Sequence, residues 1–304
     1  MSVLVLAVAL DLLLGDPPNR YHPVAWIGRL IALGRRWAAS VPTDLLVLYG
    51  ALLIVVVTIT AVMGGLAAQA AAGWLPWPGS LLAQAWLLKC SFSLRSLVAA
   101  VWEVRDRLEA GDLAGAREAV GRHLVSRPVD ELEEGATASA AVESLAENLN
   151  DSWVSPLCFY LVGGLPGAWA YRAVNTADAM IGYREGMLER LGGASARLDD
   201  LLNLVPSRLA ALALAAGARL AGESGSRAWD VWRRDGGTTA SPNAGQTMAA
   251  MAGALGVTLE KCSHYRLGDG PAPDVLVIDR AVGVFAAAAG VALVAALVLL
   301  RAFR

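Results

Sequence analysis

Between Leu45 and Leu88 the chain carries no charged residue, and near the middle of that stretch stands Pro76-Trp77-Pro78-Gly79. Water does not tolerate so long an uncharged surface and a bilayer does, so the stretch predicts two apolar helices joined at the Pro-Trp-Pro-Gly turn. The first limb, 45–72, is long enough to span, and Trp74 and Trp77 suit a membrane interface. The second limb, 80–100, continues through Lys89 and Arg95, which fits a span packed against protein rather than lipid. A further uncharged run, 281–300, lies between Arg280 and Arg301 and reads as a third span. The composition agrees: 56% apolar residues, 17% charged residues and a mean hydropathy of +0.50 exceed what a soluble chain of 304 residues carries.

Three other apolar segments are ambiguous. Segment 1–14 contains Asp11 and lacks both a basic leader and a small-residue cleavage site, so a cleaved signal peptide is not expected. Segment 156–170 carries Gly163, Gly164 and Pro166 and reads either as a span or as a broken, re-entrant helix. Segment 201–221, with Pro206, Arg208 and Arg219, either spans or lies in the interface. The expected fold is therefore all-α, a single polytopic membrane-embedded domain over 1–304 with helical cytoplasmic loops. Basic residues occur in nearly every loop except the Pro-Trp-Pro-Gly turn, which places that turn outside and segments 15–44 and 101–152 in the cytoplasm of a multi-pass cell-membrane protein. A net charge of −2 without basic clusters gives no footprint for nucleic acid. Cys90, Cys158 and Cys262 are scattered and read as reduced thiols rather than as a zinc site.

Four groups of polar residues could carry chemistry. Glu143, Glu147 and Asp151 recur at i, i+4 and i+8, one face of a helix, beside Asn148. Stacked like charges repel, so the stripe is either solvated or relieved by a cation, and hard oxygen donors suit Mg²⁺ carrying a phosphate. Arg172, Asn175 and Asp178 would share another helical face ahead of Arg184, offering a guanidinium, an amide and a carboxylate. Ser241-Pro242-Asn243-Ala244-Gly245 reads as a helix start, with Ser241 as N-cap and Pro242 at the first position, whose free amides hold either a phosphate or nothing. Near the N-terminus, Asp11, Asp16 and His22 lie among Gly and Pro turns after an apolar helix, as a catalytic loop or as structural hydrogen-bonders. Asp199, Asp200, Asn203 and Arg208 sit where a polar loop enters an apolar block. The common nucleotide cradles, GxxxxGK[ST] and GxGxxG, are absent.

Together and in this order the groups resemble the adenosylcobinamide-phosphate synthase family, integral membrane proteins of cobalamin biosynthesis. The matching pieces are DLLLGDPPNRYHPVAWIG at 11–28, ESLAENLNDSWVSPL at 143–157, YRAVNTADAMIGYR at 171–184 and SPNAGQTMAAMAGALGVTLEK at 241–261. The one departure is Gln246-Thr247, where the family pattern has an aromatic or proline-containing step. The resemblance implies ATP-dependent amide formation between the free carboxylate of adenosylcobyric acid and (R)-1-amino-2-propanol or its O-phosphate. It further implies Mg²⁺ on Glu143, Glu147 and Asp151 with Asn148 alongside, and phosphate charge neutralised by Arg172 and Arg184. Asp178 would bind metal or position the amine with Asn175 beside it, Ser241, Asn243 and Gly245 would hold a phosphate, and Asp16 or His22 would act as base. Expected partners are these substrates, the lipid bilayer and other corrinoid-pathway proteins, with homo-oligomerisation open. The competing readings are a small membrane transporter and a non-catalytic scaffold of a corrinoid-assembly complex.

Overall fold

The computed structural model describes residues 1–261 and 263–302, so Cys262 lies outside the described residues. In chain order run α1 (Ser2–Leu14), α2 (Pro23–Ala38), α3 (Leu46–Gly73), α4 (Trp77–Lys89), α5 (Arg95–Glu109), α6 (Leu113–His123) and α7 (Glu134–Leu149). A π turn (Asn150–Val154) leads into α8 (Ser155–Ile181), followed by α9 (Gly186–Leu191), α10 (Gly193–Leu220), α11 (Gly225–Asp235) and α12 (Ala244–Leu255). A short antiparallel hairpin, β1 (Leu259–Lys261) and β2 (Tyr265–Leu267), pairs Glu260 with Arg266, and α13 (Val275–Ala302) closes the chain. The protein is an all-α membrane protein with this one hairpin added, which no hydropathy pattern announced.

Among the described residues three helices are long and apolar enough to cross a membrane: α3, α10 and α13. The expected spans at 45–72 and 281–300 correspond to α3 and α13, and the ambiguous 201–221 lies almost wholly in α10. The expected span at 80–100 is not a helix. It breaks after Lys89, and α4, with 13 residues, reaches only ~20 Å against the ~30 Å of a hydrocarbon core. The physical reason is Lys89, whose ammonium is drawn to acidic groups outside α4 while the Leu88 and Lys89 carbonyls accept from the Ser91 and Phe92 amides in tight turns. The Ser91 hydroxyl adds a 2.7 Å bond to the Leu88 carbonyl and closes the helix end. Helix α1 is likewise apolar but only 13 residues long. Segment 156–170 belongs to α8, which is interrupted at Gly164 (φ 60°, ψ −153°) just before Pro166. Only a glycine adopts that φ and ψ without strain, and the proline removes a helix donor, so the broken form is the one adopted.

The chain forms two compact units, each discontinuous in sequence: residues 1–93, 155–202 and 299–304 in one, residues 94–154 and 203–298 in the other. In the first, α3 packs on α2, α4, α8 and α9, while α1 packs on α4. In the second, α7 packs on α5, α6, α12 and β1, and α11 pairs with α12. Close backbone approach recurs at small residues. A Cβ at Gly217 of α10 would lie 2.5 Å from the Ala288 amide nitrogen of α13, a contact no side-chain rotation relieves. Gly217→Ala is accordingly expected to cost about 1–3 kcal/mol, read as a lowered unfolding midpoint in detergent; an unchanged midpoint would refute this helix crossing.

Candidate functional site

In the first unit the loop after α1 is shaped by Gly15, whose positive φ of 68° turns the chain, and by Pro17 and Pro18. His22 then caps α2: its Nδ1 accepts from the Val24 amide at 3.2 Å, with Pro23 at the first helical position. With Nδ1 so engaged, the proton of the neutral ring sits on Nε2, which lies 3.8 Å from Asp16 Oδ1. Asp16 also accepts from Ser93 Oγ at 2.5 Å and from the Lys89 ammonium. Lys89 is fully buried, and its Nζ lies 3.5 Å from Oδ1 of the equally buried Asp11. Burial alone would raise the Asp16 pKa, but the nearby His22 ring and the bonds from Lys89 and Ser93 outweigh it and hold the carboxyl well below the usual carboxylate range. Asp16 therefore stays ionised at any physiological pH. The stability this clasp contributes is present in full above about pH 4 and is lost only as the pH falls through the depressed value.

These residues face a cavity of about 360 Å³, lined by Asp16, Asn19, His22, Ser93, Arg172 and Thr176 together with Gly28, Cys90 and Phe92. Arg172 stands on the part of α8 that follows the Gly164 break. Its neighbour Tyr171 is fully buried and stacked at 5.1 Å on Phe159, which belongs to the part of α8 before the break, so the stacking ties the two parts together. The Arg172 guanidinium donates from Nη1 to Asn175 Oδ1 at 3.1 Å, and Asn175 Nδ2 donates to Asp199 at 3.3 Å. One cavity thus holds a permanent carboxylate and a guanidinium oriented through an amide. Asp178 stands outside the cavity lining, and Arg184 is exposed in the turn between α8 and α9. Sequence reasoning named Asp16, His22, Arg172 and Asn175 but missed Lys89 and Ser93. Lys89 had a signal, being one of two lysines in the chain and the first charge after the long uncharged stretch.

The acidic stripe lies in the second unit. Glu143 is buried and accepts from Ser139 Oγ at 2.6 Å and Tyr265 Oη at 2.7 Å, with Arg127 Nη2 at 3.7 Å. Burial, and then the Glu143 carboxylate, raise the Tyr265 phenol far above its usual pKa, so it remains a donor. Ser139 in turn accepts from the Glu260 amide at 3.2 Å, so Glu143 joins α7 to the hairpin. Tyr265→Phe would leave one oxygen of a buried carboxylate without its phenolic donor; a loss of about 1–3 kcal/mol is expected in denaturant unfolding, and an unchanged midpoint would count against it. Asp151 stands in the π turn, where Asn150 Nδ2 donates to it at 2.7 Å and to Asn203 at 2.9 Å. Among the described residues no three His, Cys, Asp or Glu side chains gather to hold a metal ion. Of the three carboxylates, Glu143 is engaged by the donors of Ser139 and Tyr265. Glu147 and Asp151 remain half-buried, beside Asn148, which accepts from Ser152 at 2.9 Å. Two hard carboxylates fit a Mg²⁺ that draws its other ligands from phosphate and water.

The segment at 241–245 differs from its expected form. Helix α12 begins at Ala244 with Asn243 as N-cap, and Ser241 Oγ accepts from the Asn243 amide at 3.2 Å in a local turn. Asn243 Oδ1 accepts from Ser207 at 3.2 Å and Arg208 at 2.7 Å instead of capping. The Gly245 amide donates to Thr239 Oγ1 at 3.0 Å, so it is occupied by the protein itself. Gln246 explains its own place: its carboxamide accepts from Trp232 at 2.7 Å and donates to the carbonyls of Gly236 and Pro242, tying α11 to α12.

Comparison with known proteins places the chain. The family model described as CobD/Cbib protein matches residues 4–300. The cobalamin biosynthesis protein CobD of Rhodobacter capsulatus is 43% identical over 297 residues, covering 93% of this chain and 91% of its own. That of Dehalococcoides mccartyi is 41% identical, covering 88% and 87%. The probable CobD of Methanothermobacter thermautotrophicus is 39% identical with the same coverage, 88% and 87%. No solved structure matches the chain.

Proposed function

The chain belongs to the CobD/Cbib family and acts in cobalamin biosynthesis, and from that premise we propose that it joins a corrinoid carboxylate to an amino alcohol by ATP-dependent amide ligation. The corrinoid is adenosylcobyric acid and the amine is (R)-1-amino-2-propanol, preferentially as its O-phosphate. The observation that carries this reading is the cavity of about 360 Å³ that displays one ionised carboxylate, Asp16, and one guanidinium, Arg172. A small molecule with an ammonium at one end and a phosphate at the other matches that pair of charges, and a planar guanidinium suits phosphate oxygens.

In the reaction a carboxylate oxygen of the corrinoid attacks the γ-phosphorus of ATP and ADP leaves. The amine nitrogen then forms the C–N bond as the acyl phosphate C–O bond breaks. The ammonium gives up one proton before attack, and the nitrogen loses a second afterwards, which accounts for the proton on the released phosphate. Asp16 would grip the ammonium rather than deprotonate it, because a carboxylate held so far below its usual pKa is a weak base. His22 would orient Asp16 through Nε2–H, its other nitrogen being occupied by the helix cap. Arg172, steadied by Asn175, would hold the phosphate. In the second unit Glu147 and Asp151 would hold the Mg²⁺ of the nucleotide, which neutralises phosphate charge when bound.

The test is a nanodisc assay of the purified protein with adenosylcobyric acid, Mg-ATP and aminopropanol phosphate, following ADP and the corrinoid mass. One amide-linked aminopropanol phosphate per ADP is expected. Corrinoid binding with neither ADP nor amide formed, from either amine, would overturn the ligase reading in favour of a scaffold.

A further inference from the structure

The first unit contains a second cavity, of about 410 Å³, that the reaction does not use. Its wall includes Trp26 and Leu30 of α2, Gly64 and Ala68 of α3, Trp86 of α4 and Trp169 of α8. Two of its indole donors are turned to the backbone: Trp26 Nε1 donates to the Arg20 carbonyl at 2.9 Å and Trp169 Nε1 to the Leu87 carbonyl at 3.2 Å. The Thr60 hydroxyl, also in the lining, donates to the Val56 carbonyl at 2.8 Å. A ligand rich in hydroxyls, amides or phosphate would lose its water there and gain few partners, so the cavity selects hydrocarbon. Helix α3 supplies one side of it, and only 28% of that helix's most apolar window is buried within the protein. The rest of α3 is open to a surrounding bilayer, which would bring acyl chains beside the cavity.

Tyr21, in the lining, is 58% exposed, with the Arg20 guanidinium 4.5 Å over its ring. A tyrosine beside an exposed arginine is the pairing expected at the headgroup level of a bilayer, and the arginine favours an anionic headgroup. We propose that this cavity holds one acyl chain of an anionic phospholipid whose headgroup phosphate pairs with Arg20. The site is independent of the ligase reading.

Three of the chain's ten tryptophans line the cavity, so a lipid with dibrominated chains reports its own binding by quenching their emission. The detergent-solubilised protein is titrated with dibrominated phosphatidylglycerol and, separately, phosphatidylcholine. Saturable quenching is expected, tighter for phosphatidylglycerol. Ala68→Leu fills the cavity and is expected to weaken binding about tenfold, equivalent to about 1.4 kcal/mol, while Arg20→Ala keeps the quenching and removes the preference between the lipids. A Cβ at Gly64 would meet only the Trp169 ring at 3.7 Å, so Gly64→Val is the second filling variant should Ala68→Leu fail to fold. Quenching that does not saturate, or that is unchanged in the folded filling variant, would overturn the chain site. Equal wild-type affinity for the two lipids would overturn the headgroup assignment.

Discussion

Lys89→Met is expected to destabilise the protein by about 3–5 kcal/mol, the cost of leaving buried charge without its partner. Lys89 and Asp11 are both fully buried, and Asp16 loses its ammonium donor in the same step. Thermal unfolding in nanodiscs measures the loss. The triple variant Lys89→Met, Asp11→Asn, Asp16→Asn removes all three charges and is expected to recover much of the stability but not the ligation. An unfolding midpoint in Lys89→Met equal to that of the wild type would mean that the ammonium is hydrated and that the clasp is no structural element.

Arg172→Ala is expected to lower kcat by about 10²–10³-fold, the usual effect of losing one oriented electrostatic contact to developing charge. The helix should survive, because the buried Tyr171, Ala173, Val174 and Ala177 hold this part of α8 without the guanidinium. Arg172→Lys keeps the charge and loses the planar fork, so an intermediate rate is expected. Asn175→Ala, which frees the guanidinium to reorient, should change kcat less than Arg172→Ala does. If all three variants ligate at the wild-type rate, the cavity is not the amine phosphate site.

Much of this architecture is legible in the residues alone, because hydropathy over twenty or more positions reports directly on lipid contact. That is how α3 and α13 show themselves. The same signal fails at 80–100, where a single lysine outweighs a long apolar run by pairing with carboxylates roughly seventy positions earlier in the chain. No local pattern encodes such a partner. The acidic stripe shows a related limit: its spacing is visible, but the Tyr265 and Arg127 that occupy Glu143 come from elsewhere in the chain. At 241–245 a serine followed by proline satisfies the rules for a helix start, yet the Thr239 hydroxyl takes the Gly245 amide and the helix starts two residues further on. Asp16 and Arg172 were nameable as candidates, whereas their meeting in one cavity depends on α8 packing against α2 and α4.

The discontinuity of the first unit sets an order of events during synthesis. Asp16, His22, Lys89 and Ser93 all belong to its first segment and Arg172 to its second, with residues 94–154 made in between. At roughly 5–20 residues per second the ribosome completes the carboxylate side of the polar cavity some 4–16 seconds before the guanidinium exists. A nascent chain in that interval already carries the residues of the ammonium clasp but lacks the charge that would complete the pocket. Substrate therefore cannot template the fold of this unit until α8 has followed, and nascent chains stalled short of residue 172 should show the stability of the clasp with no affinity for the amino alcohol phosphate.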